Sequence, residues 1–384
     1  MSSAVNASTS ADVSGQPTAM AQLVVAKIGT SSITNDRGEI DVEAITKFCS
    51  EVAALRDAGS QVVVVTSGAI AAGLPAIGLA DNRPSDAVTL QAVSAIGQSR
   101  LMRVYDDAFA SHGIVGGQVL LAPLDFGIRQ QYLHARSTLR RLLELGVVPI
   151  INENDAIADD EIRFGDNDRL SALVAQLLGA DLLVLLTDAP GLLTADPRLD
   201  DDASLIEEVM EITAELEALA GGAGTVRGSG GMASKVAAAK MASWSGVRAV
   251  IAAAHRPNVL ADALAGTPGV GTIVAPSSQR IAARKLWIAF AVDSCGRISV
   301  DEGARKALIN RGVSLLPAGV TGVVGSFQAD QGVEIVGPDG AVFAKGLVRT
   351  SSQDLSTIAG MQTAQLPEGM IHEVIHRDDL VILP

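Results

Sequence analysis

The residues of this chain best suited to chemistry are two lysines, an aspartate and a run of glycines. Gly228-Ser229-Gly230-Gly231-Met232-Ala233-Ser234-Lys235 leads directly into Val236-Ala237-Ala238-Ala239-Lys240-Met241-Ala242. The alanine-rich stretch has strong helix propensity. A helix start carries about half a positive charge and several unpaired N–H donors, which together suit a phosphate. Lys235 falls one or two turns into that helix, placed to reach a phosphoryl group. Taken alone, such a glycine cluster can equally be a loop before a core helix. A second lysine, Lys27, closes the apolar run Leu23–Ile28 just before Gly29-Thr30-Ser31-Ser32. It is either a solvated strand end or a ligand for phosphate oxygens, and the apolar strand around it favours the ligand.

Two known nucleotide motifs do not account for the glycine stretch. No Gly-Lys-Ser/Thr follows a glycine at the spacing of a Walker loop. Gly228-x-Gly230-x-x-Ala233 fits the loose dinucleotide pattern, which requires a strand before it and an acidic residue about twenty positions on. Residues 221–227 read Gly-Gly-Ala-Gly-Thr-Val-Arg, and the first downstream carboxylate is Asp262, which argues against a dehydrogenase. His376-Arg377-Asp378 lacks the Asp-Phe-Gly of protein kinases and has Leu383 where their asparagine is required.

Further polar clusters recur at the ends of apolar runs. Thr66-Ser67-Gly68-Ala69 offers Ser67 and exposed amides to a carboxylate, or is simply a tight turn. Asn152-Glu153-Asn154-Asp155 and Gly165-Asp166-Asn167-Asp168 read as caps and turns, or as a site for an amino acid. Asp155 and Asn167 would then accept from its ammonium group, while Asp168 holds Lys27 and Lys235 in place. Thr187-Asp188 ends another apolar run and is a natural nucleotide contact. Asp200-Asp201-Asp202 is a solvated turn.

The elements that must position these groups are continuous apolar strands: Leu23–Ile28, Gln61–Val65, 117–121, 147–151, 182–186 and 247–253. A helix follows the first from Val42, with Val42, Ile45, Cys49, Val52 and Leu55 on one face, stopped by Gly59. Such strands alternating with amphipathic helices imply an α/β fold, a mostly parallel sheet sandwiched by helices. Ligands of such sheets lie beyond the carboxyl ends of the strands, where the polar clusters fall. After residue 276 short Val/Ile runs alternate with glycines, as expected of a small β-rich domain.

With 384 residues, 48% hydrophobic and 19% charged, the chain is long enough for two domains. The net charge of −14 argues against non-specific nucleic-acid or anionic-membrane binding. No apolar run is long enough to span a bilayer. Cys49 and Cys295 have no metal-binding spacing and are expected to be buried thiols of a reducing compartment. The Ser-, Ala- and Thr-rich start is not a secretory signal. The expected division is a disordered leader (1–21), a catalytic domain (22–276), a linker (277–292), a β-rich domain (293–372) and a tail (373–384).

In this order the stretches resemble the glutamate 5-kinases of the amino-acid kinase family. The matching pieces are Val25-Ala26-Lys27-Ile28-Gly29-Thr30-Ser31, residues 65–73 around Ser67, Ala95-Ile96-Gly97-Gln98-Ser99-Arg100-Leu101, Ile151-Asn152-Glu153-Asn154-Asp155-Ala156, Phe164-Gly165-Asp166-Asn167-Asp168, Leu186-Thr187-Asp188 and the glycine stretch. The β-rich end is similar to a PUA domain. The resemblance implies the amino-acid kinase fold and phosphorylation of the L-glutamate side chain with ATP and Mg2+, as the first step toward proline, in the cytoplasm. It assigns ATP contacts to Lys27, Thr187, Asp188, Ser229, Gly230, Gly231, Met232, Ala233, Ser234 and Lys235. Glutamate falls to Ser67, Asp155 and Asn167, and phosphoryl transfer to Lys27, Asp168 and Lys235. No protein ligand is assigned to a metal. It further implies a homo-oligomer and feedback inhibition by proline, for which residues 124–131 are the expected place. Ser229 and Ser234 stand where threonine is usual and keep the hydroxyl; Leu193 replaces a common tyrosine. An enzyme of the same fold with another acceptor, such as UMP, is the neighbouring alternative. RNA binding through the PUA domain is a third, which the acidic charge opposes.

Overall fold

Valine, isoleucine and leucine occupy consecutive positions of the central strands because helices cover both faces of the sheet they form. The computed structural model describes residues 21–157, 167–197, 200, 202–221, 231–278, 280–290, 292–367, 369 and 371–383. Residues 1–20 of the expected leader (1–21), Asp166 and the expected ATP contacts Ser229 and Gly230 lie outside them. The larger sheet contains β1 (Leu23–Ile28), β2 (Gln61–Val65), β3 (Gly116–Leu121), β4 (Val148–Glu153), β5 (Leu182–Thr187), β6 (Glu208–Val209), β7 (Arg248–Ala253) and β8 (Thr272–Val274). Their order is β3-β4-β2-β1-β5-β7-β8-β6. From β3 to β7 all pairings are parallel, whereas β8 runs antiparallel to β7 and takes β6 with it. That reversed edge leaves no mark in the apolar pattern, since β6 has two residues and β8 three.

Side chains alternate between two cores, as the period of two demands. Val25, Val63, Ile151, Leu183 and Ile251 face one core, and Val24, Val62, Ile150, Val184 and Val250 the other. The first is covered by α4 (Arg129–Glu144), α5 (Asn167–Leu178), α6 (Ala214–Ala220) and α7 (Met232–Trp244). The second is covered by α1 (Val42–Asp57), α3 (Ala87–Ala110) and α8 (Val259–Ala265). Asp41 caps α1 by accepting from the Ala44 N–H. Ile45, Cys49, Val52 and Leu55 are buried as expected, joined by Phe48, but Val42 is 56% exposed. As the first residue of the helix it precedes the turn that packs on the sheet.

The short helix α2 (Ala69–Gly73) crosses α3 at backbone contact. A Cβ on Gly97 would lie 1.8 Å from the Ala69 carbonyl oxygen and 2.5 Å from the Gly73 nitrogen, and one on Gly73 would lie 2.1 Å from the Val93 oxygen. Gly97→Ala therefore has no flexible side chain to displace and must shift α2 itself. The expected cost is about 3 kcal/mol, at the upper end for overpacking, read as a lower denaturation midpoint in urea. An unchanged midpoint would refute this packing.

The C-terminal sheet has the order β10-β9-β11-β12-β13, built from β9 (Ser294–Val300), β10 (Val320–Gly325), β11 (Gly332–Val336), β12 (Val342–Leu347) and β13 (Leu380–Ile382), with helices α10 (Glu302–Arg311) and α11 (Ser352–Ile358). It encloses its own core around Ile298, Phe327, Val333 and Ile335. Cys295 is exposed, against expectation, whereas Cys49 is buried. Alternation explains it: Ile298 and Val300 point inward, so the odd-numbered Cys295 and Arg297 face solvent.

The expected linker holds a helix, α9 (Ala283–Phe290). Its Leu286 is buried in the core beneath α5 and α7, and its Ile288 is buried with Leu347 and Val381 of the C-terminal sheet. Trp287 lies where a Cβ on Gly127 would come within 2.6 Å of its ring. Arg284 donates to Asp379 at 2.7 Å and to the Gly127 carbonyl at 3.2 Å. Helix α9 thus belongs to both units.

Candidate active site

Strand β1 pairs with β2 on one side and β5 on the other, so the chain order reverses across it and opens a crevice at the carboxyl ends. Lys27 at the end of β1 is 4% exposed, and Thr187 at the end of β5 is 5% exposed. Two helices begin at the same edge. Asn167 and Asp168 form the first turn of α5, and Met232, Ala233, Ser234 and Lys235 that of α7, with Gly231 as its N-cap. These helices pack on each other, and both bury alanines in the same core, Ala172 and Ala175 from one and Ala238, Ala239 and Ala242 from the other. Small side chains let them approach closely, which brings Asp168 to Lys235.

Lys27 Nζ lies 2.7 Å from Asp168 Oδ1, and Lys235 Nζ lies 3.2 Å from Oδ2. The Ser234 hydroxyl donates to Oδ2 at 2.6 Å. Asp168 is 1% exposed and Lys235 4%. Burial pushes the Asp168 carboxyl up, but the Lys27 and Lys235 ammoniums reverse this and hold it at about 2, against an ordinary 3.8. Burying such a charge costs several kcal/mol. Leu170, Leu173, Leu177 and Leu178 on the same helix are buried, at roughly 2 kcal/mol each, enough to seat it. The trio carries two positive charges and one negative, a preorganised cationic spot.

On the β5 side, Thr187 Oγ1 donates to Asp188 Oδ1 at 3.0 Å, and Asp188 is exposed at the crevice. On the β2–β4 side, polar side chains gather at low exposure: Ser67 9%, Asn152 2%, Asp155 8%, Asn167 3%. The Glu153 N–H donates to Asn152 Oδ1 at 2.9 Å and to Asn167 Oδ1 at 3.1 Å. Asn167 Nδ2 in turn donates to Ser67 Oγ at 3.1 Å. Both ends of the Asn167 amide are thereby engaged. Because Ser67 Oγ accepts that bond, its own proton is left to donate. Asp155 accepts from the Ser94 hydroxyl at 2.6 Å; burial pushes its carboxyl up, and the Ser94 bond offsets this only in part.

Two neighbours of the site, Ser94 and Gln98 on α3, carry no role in the sequence reading. Both are buried, at 4% and 9% exposure. They sit one turn apart inside the apolar stripe of Leu90, Val93, Leu101 and Tyr105, and a polar residue inside such a stripe is the signal that points to them.

An anion-binding helix start, a buried pair of lysines on one carboxylate and a polar pocket two strands away describe a phosphoryl-transfer site. A model of the amino acid kinase family matches residues 22–253, and one of the PUA domain matches residues 296–370. The glutamate 5-kinase of Trichlorobacter lovleyi is 44% identical over 367 residues, spanning 94% of this chain and 96% of that one. Those of Pelobacter propionicus and Burkholderia multivorans are 45% and 46% identical over 364 residues, each spanning 94% of this chain and 97% of theirs. The chain belongs to the amino acid kinase family of phosphotransferases. Within that family its place is among the glutamate 5-kinases, with a PUA domain behind the catalytic unit. Among the described residues no helix is long and apolar enough to cross a membrane.

Proposed function

We propose that this protein transfers the γ-phosphoryl group of ATP to the side-chain carboxylate of L-glutamate, giving L-glutamyl 5-phosphate and ADP. The observation that carries the reading is the Lys27–Asp168–Lys235 cluster between a nucleotide-facing and an acceptor-facing half of the crevice. A carboxylate oxygen of glutamate forms the new O–P bond as the bond to the β–γ bridging oxygen breaks, its electron pair leaving with ADP. With an ordinary pKa of about 4.3 the acceptor is already ionised, so no general base is needed. Lys27 and Lys235 meet the charge on the transferring group, and Asp168, ionised itself, fixes their direction. The first turn of α7, from Gly231 to Ser234, and the Thr187–Asp188 strand end receive the nucleotide. Magnesium, when bound with ATP, would spread the phosphate charge.

Asp155 is the group for the glutamate ammonium. Its carboxyl is raised in the folded chain, so ionised Asp155 subtracts from stability above the ordinary carboxylate range, and the loss is recovered as pH falls through the raised value. Asp155→Asn is therefore expected to raise the thermal midpoint of the substrate-free protein at pH 7.5. It should also raise KM for glutamate by about 30-fold or more, the cost of truncating a buried charge pair. A lower midpoint together with an unchanged KM would contradict the assignment.

Hydroxylamine trapping of the acyl phosphate tests the reaction, with L-aspartate, N-acetylglutamate and UMP as parallel acceptors. Hydroxamate from glutamate alone is expected; ATP turnover with another acceptor only would move the substrate and leave the lysines in place. We extend the reading to a cytoplasmic homo-oligomeric enzyme of proline formation that proline inhibits, with residues 124–131 as the responsive segment. The domain limits of 22–276 and 293–372, with helix α9 between them packed on both units, are part of the same reading. The net charge of −14 supports a PUA domain that does not bind RNA.

A further inference from the structure

We propose that Gln98 binds the acceptor, its Nε2 donating to the α-carboxylate of the bound amino acid. The proposal rests on the glutamate reading above. The orientation of the Gln98 amide follows from a chain of donors. The Glu153 backbone N–H can only donate, so the atom it meets at 2.9 Å is Asn152 Oδ1. The other end of Asn152 is then Nδ2, a donor, and the Gln98 atom 2.8 Å from it is Oε1. Gln98 Nε2 therefore faces away from Asn152, and among the described residues it is buried with no hydrogen-bond partner. An N–H group held from water without an acceptor is costly and rare in native structures. An acceptor supplied by a ligand accounts for it.

The position selects which acceptor. Ser94, one helical turn before Gln98, holds Asp155 at 2.6 Å, and residues at i and i+4 share a helix face. The donor of Gln98 thus lies one turn from the carboxylate that takes the ammonium. Strand β4, which presents Asn152, is two strands from β1 and Lys27, about 10 Å at ordinary strand spacing. The transferring end of the substrate belongs at Lys27, and its α-amino acid head beside Gln98 and Asp155.

Two variants separate donation to substrate from support of Asn152. Gln98→Glu keeps an oxygen for Asn152 and puts a carboxylate where the donor was; Gln98→Met removes both. KM for glutamate is expected to rise about 10- to 100-fold in Gln98→Met, the range for a hydrogen bond to a charged group, and further in Gln98→Glu. KM for ATP and the saturated turnover should change less than about threefold, the pattern of lost uniform binding. The deciding comparison is 4-aminobutyrate, which keeps the ammonium and the reacting carboxylate but lacks the α-carboxylate. The preference for glutamate over 4-aminobutyrate, read as a ratio of inhibition or Michaelis constants, should shrink about tenfold or more in either variant. An unchanged ratio, with both compounds weakened alike, would mean Gln98 only supports the pocket and would overturn the proposal. Wild-type protein that gives no hydroxamate from glutamate would instead bring down the parent reading, and this one with it.

Discussion

Replacing Asp168 by alanine is expected to destabilise the protein by about 3–5 kcal/mol, the cost of leaving buried charges without their partner, and to abolish measurable turnover. The carboxylate sits between Lys27 and Lys235 at 2.7 and 3.2 Å. Without it, two ammoniums that are each 4% exposed repel one another, and Ser234 keeps only the Gly231 carbonyl as acceptor. Acid should produce a milder version. The folded carboxyl titrates at about 2 and the ordinary value is 3.8, so its contribution is fully present above pH 4 and fades as pH falls toward 2. Over that window it amounts to about 2 kcal/mol. It is smaller than the substitution because a protonated carboxyl still offers a carbonyl oxygen. Urea denaturation of wild type and variant from pH 2 to pH 7 checks both claims. The two curves should converge in acid and separate toward neutrality; parallel curves would mean the cluster does not hold the fold.

Lys235→Met should leave stability within about 1 kcal/mol, since Asp168 keeps Lys27 at 2.7 Å, and lower kcat about 10²- to 10³-fold, the usual loss for one preorganised donor to developing charge. Of the two lysines, Lys235 also lies on the helix whose first turn is placed to receive phosphate. Its loss therefore strikes the transferring group and not the acceptor, and KM for glutamate should hardly move. Hydroxamate formation at saturating ATP and glutamate measures the effect. A fall confined to KM would assign Lys235 to ground-state binding.

How much of this was legible in the sequence depends on where each group sits. Lys27, Ser67, Thr187 and Asp188 stand out because each ends a continuous apolar strand, and a parallel sheet gathers such ends at one edge. Lys235 and Gly231 stand out because glycines before an alanine-rich run mark a helix start. Ser94 and Gln98 stayed hidden because they interrupt a helix in mid-course, and only the packing of α3 on the end of β4 shows which neighbours they meet. The Asn167 amide was legible as a site group but not in its direction, which the Glu153 N–H sets. Cys295 was misread because burial was inferred from its apolar neighbours, whereas strand alternation decides it. The helix inside residues 277–292 was read as linker because eight residues between two domains carry no signature of what they will bury.

That helix has a consequence for anyone who shortens the chain. Leu286 fills the catalytic core and Ile288 the floor of the C-terminal sheet, so the boundary between the units is a seam sewn through both fabrics. A chain cut at residue 276 would lose a piece of its own catalytic interior and bare a greasy seat beneath α5 and α7. The weakened or insoluble product would then be a wounded enzyme, and its defects would say nothing about what the PUA domain does. Cutting after Phe290 instead keeps Leu286 in its place and bares only Ile288.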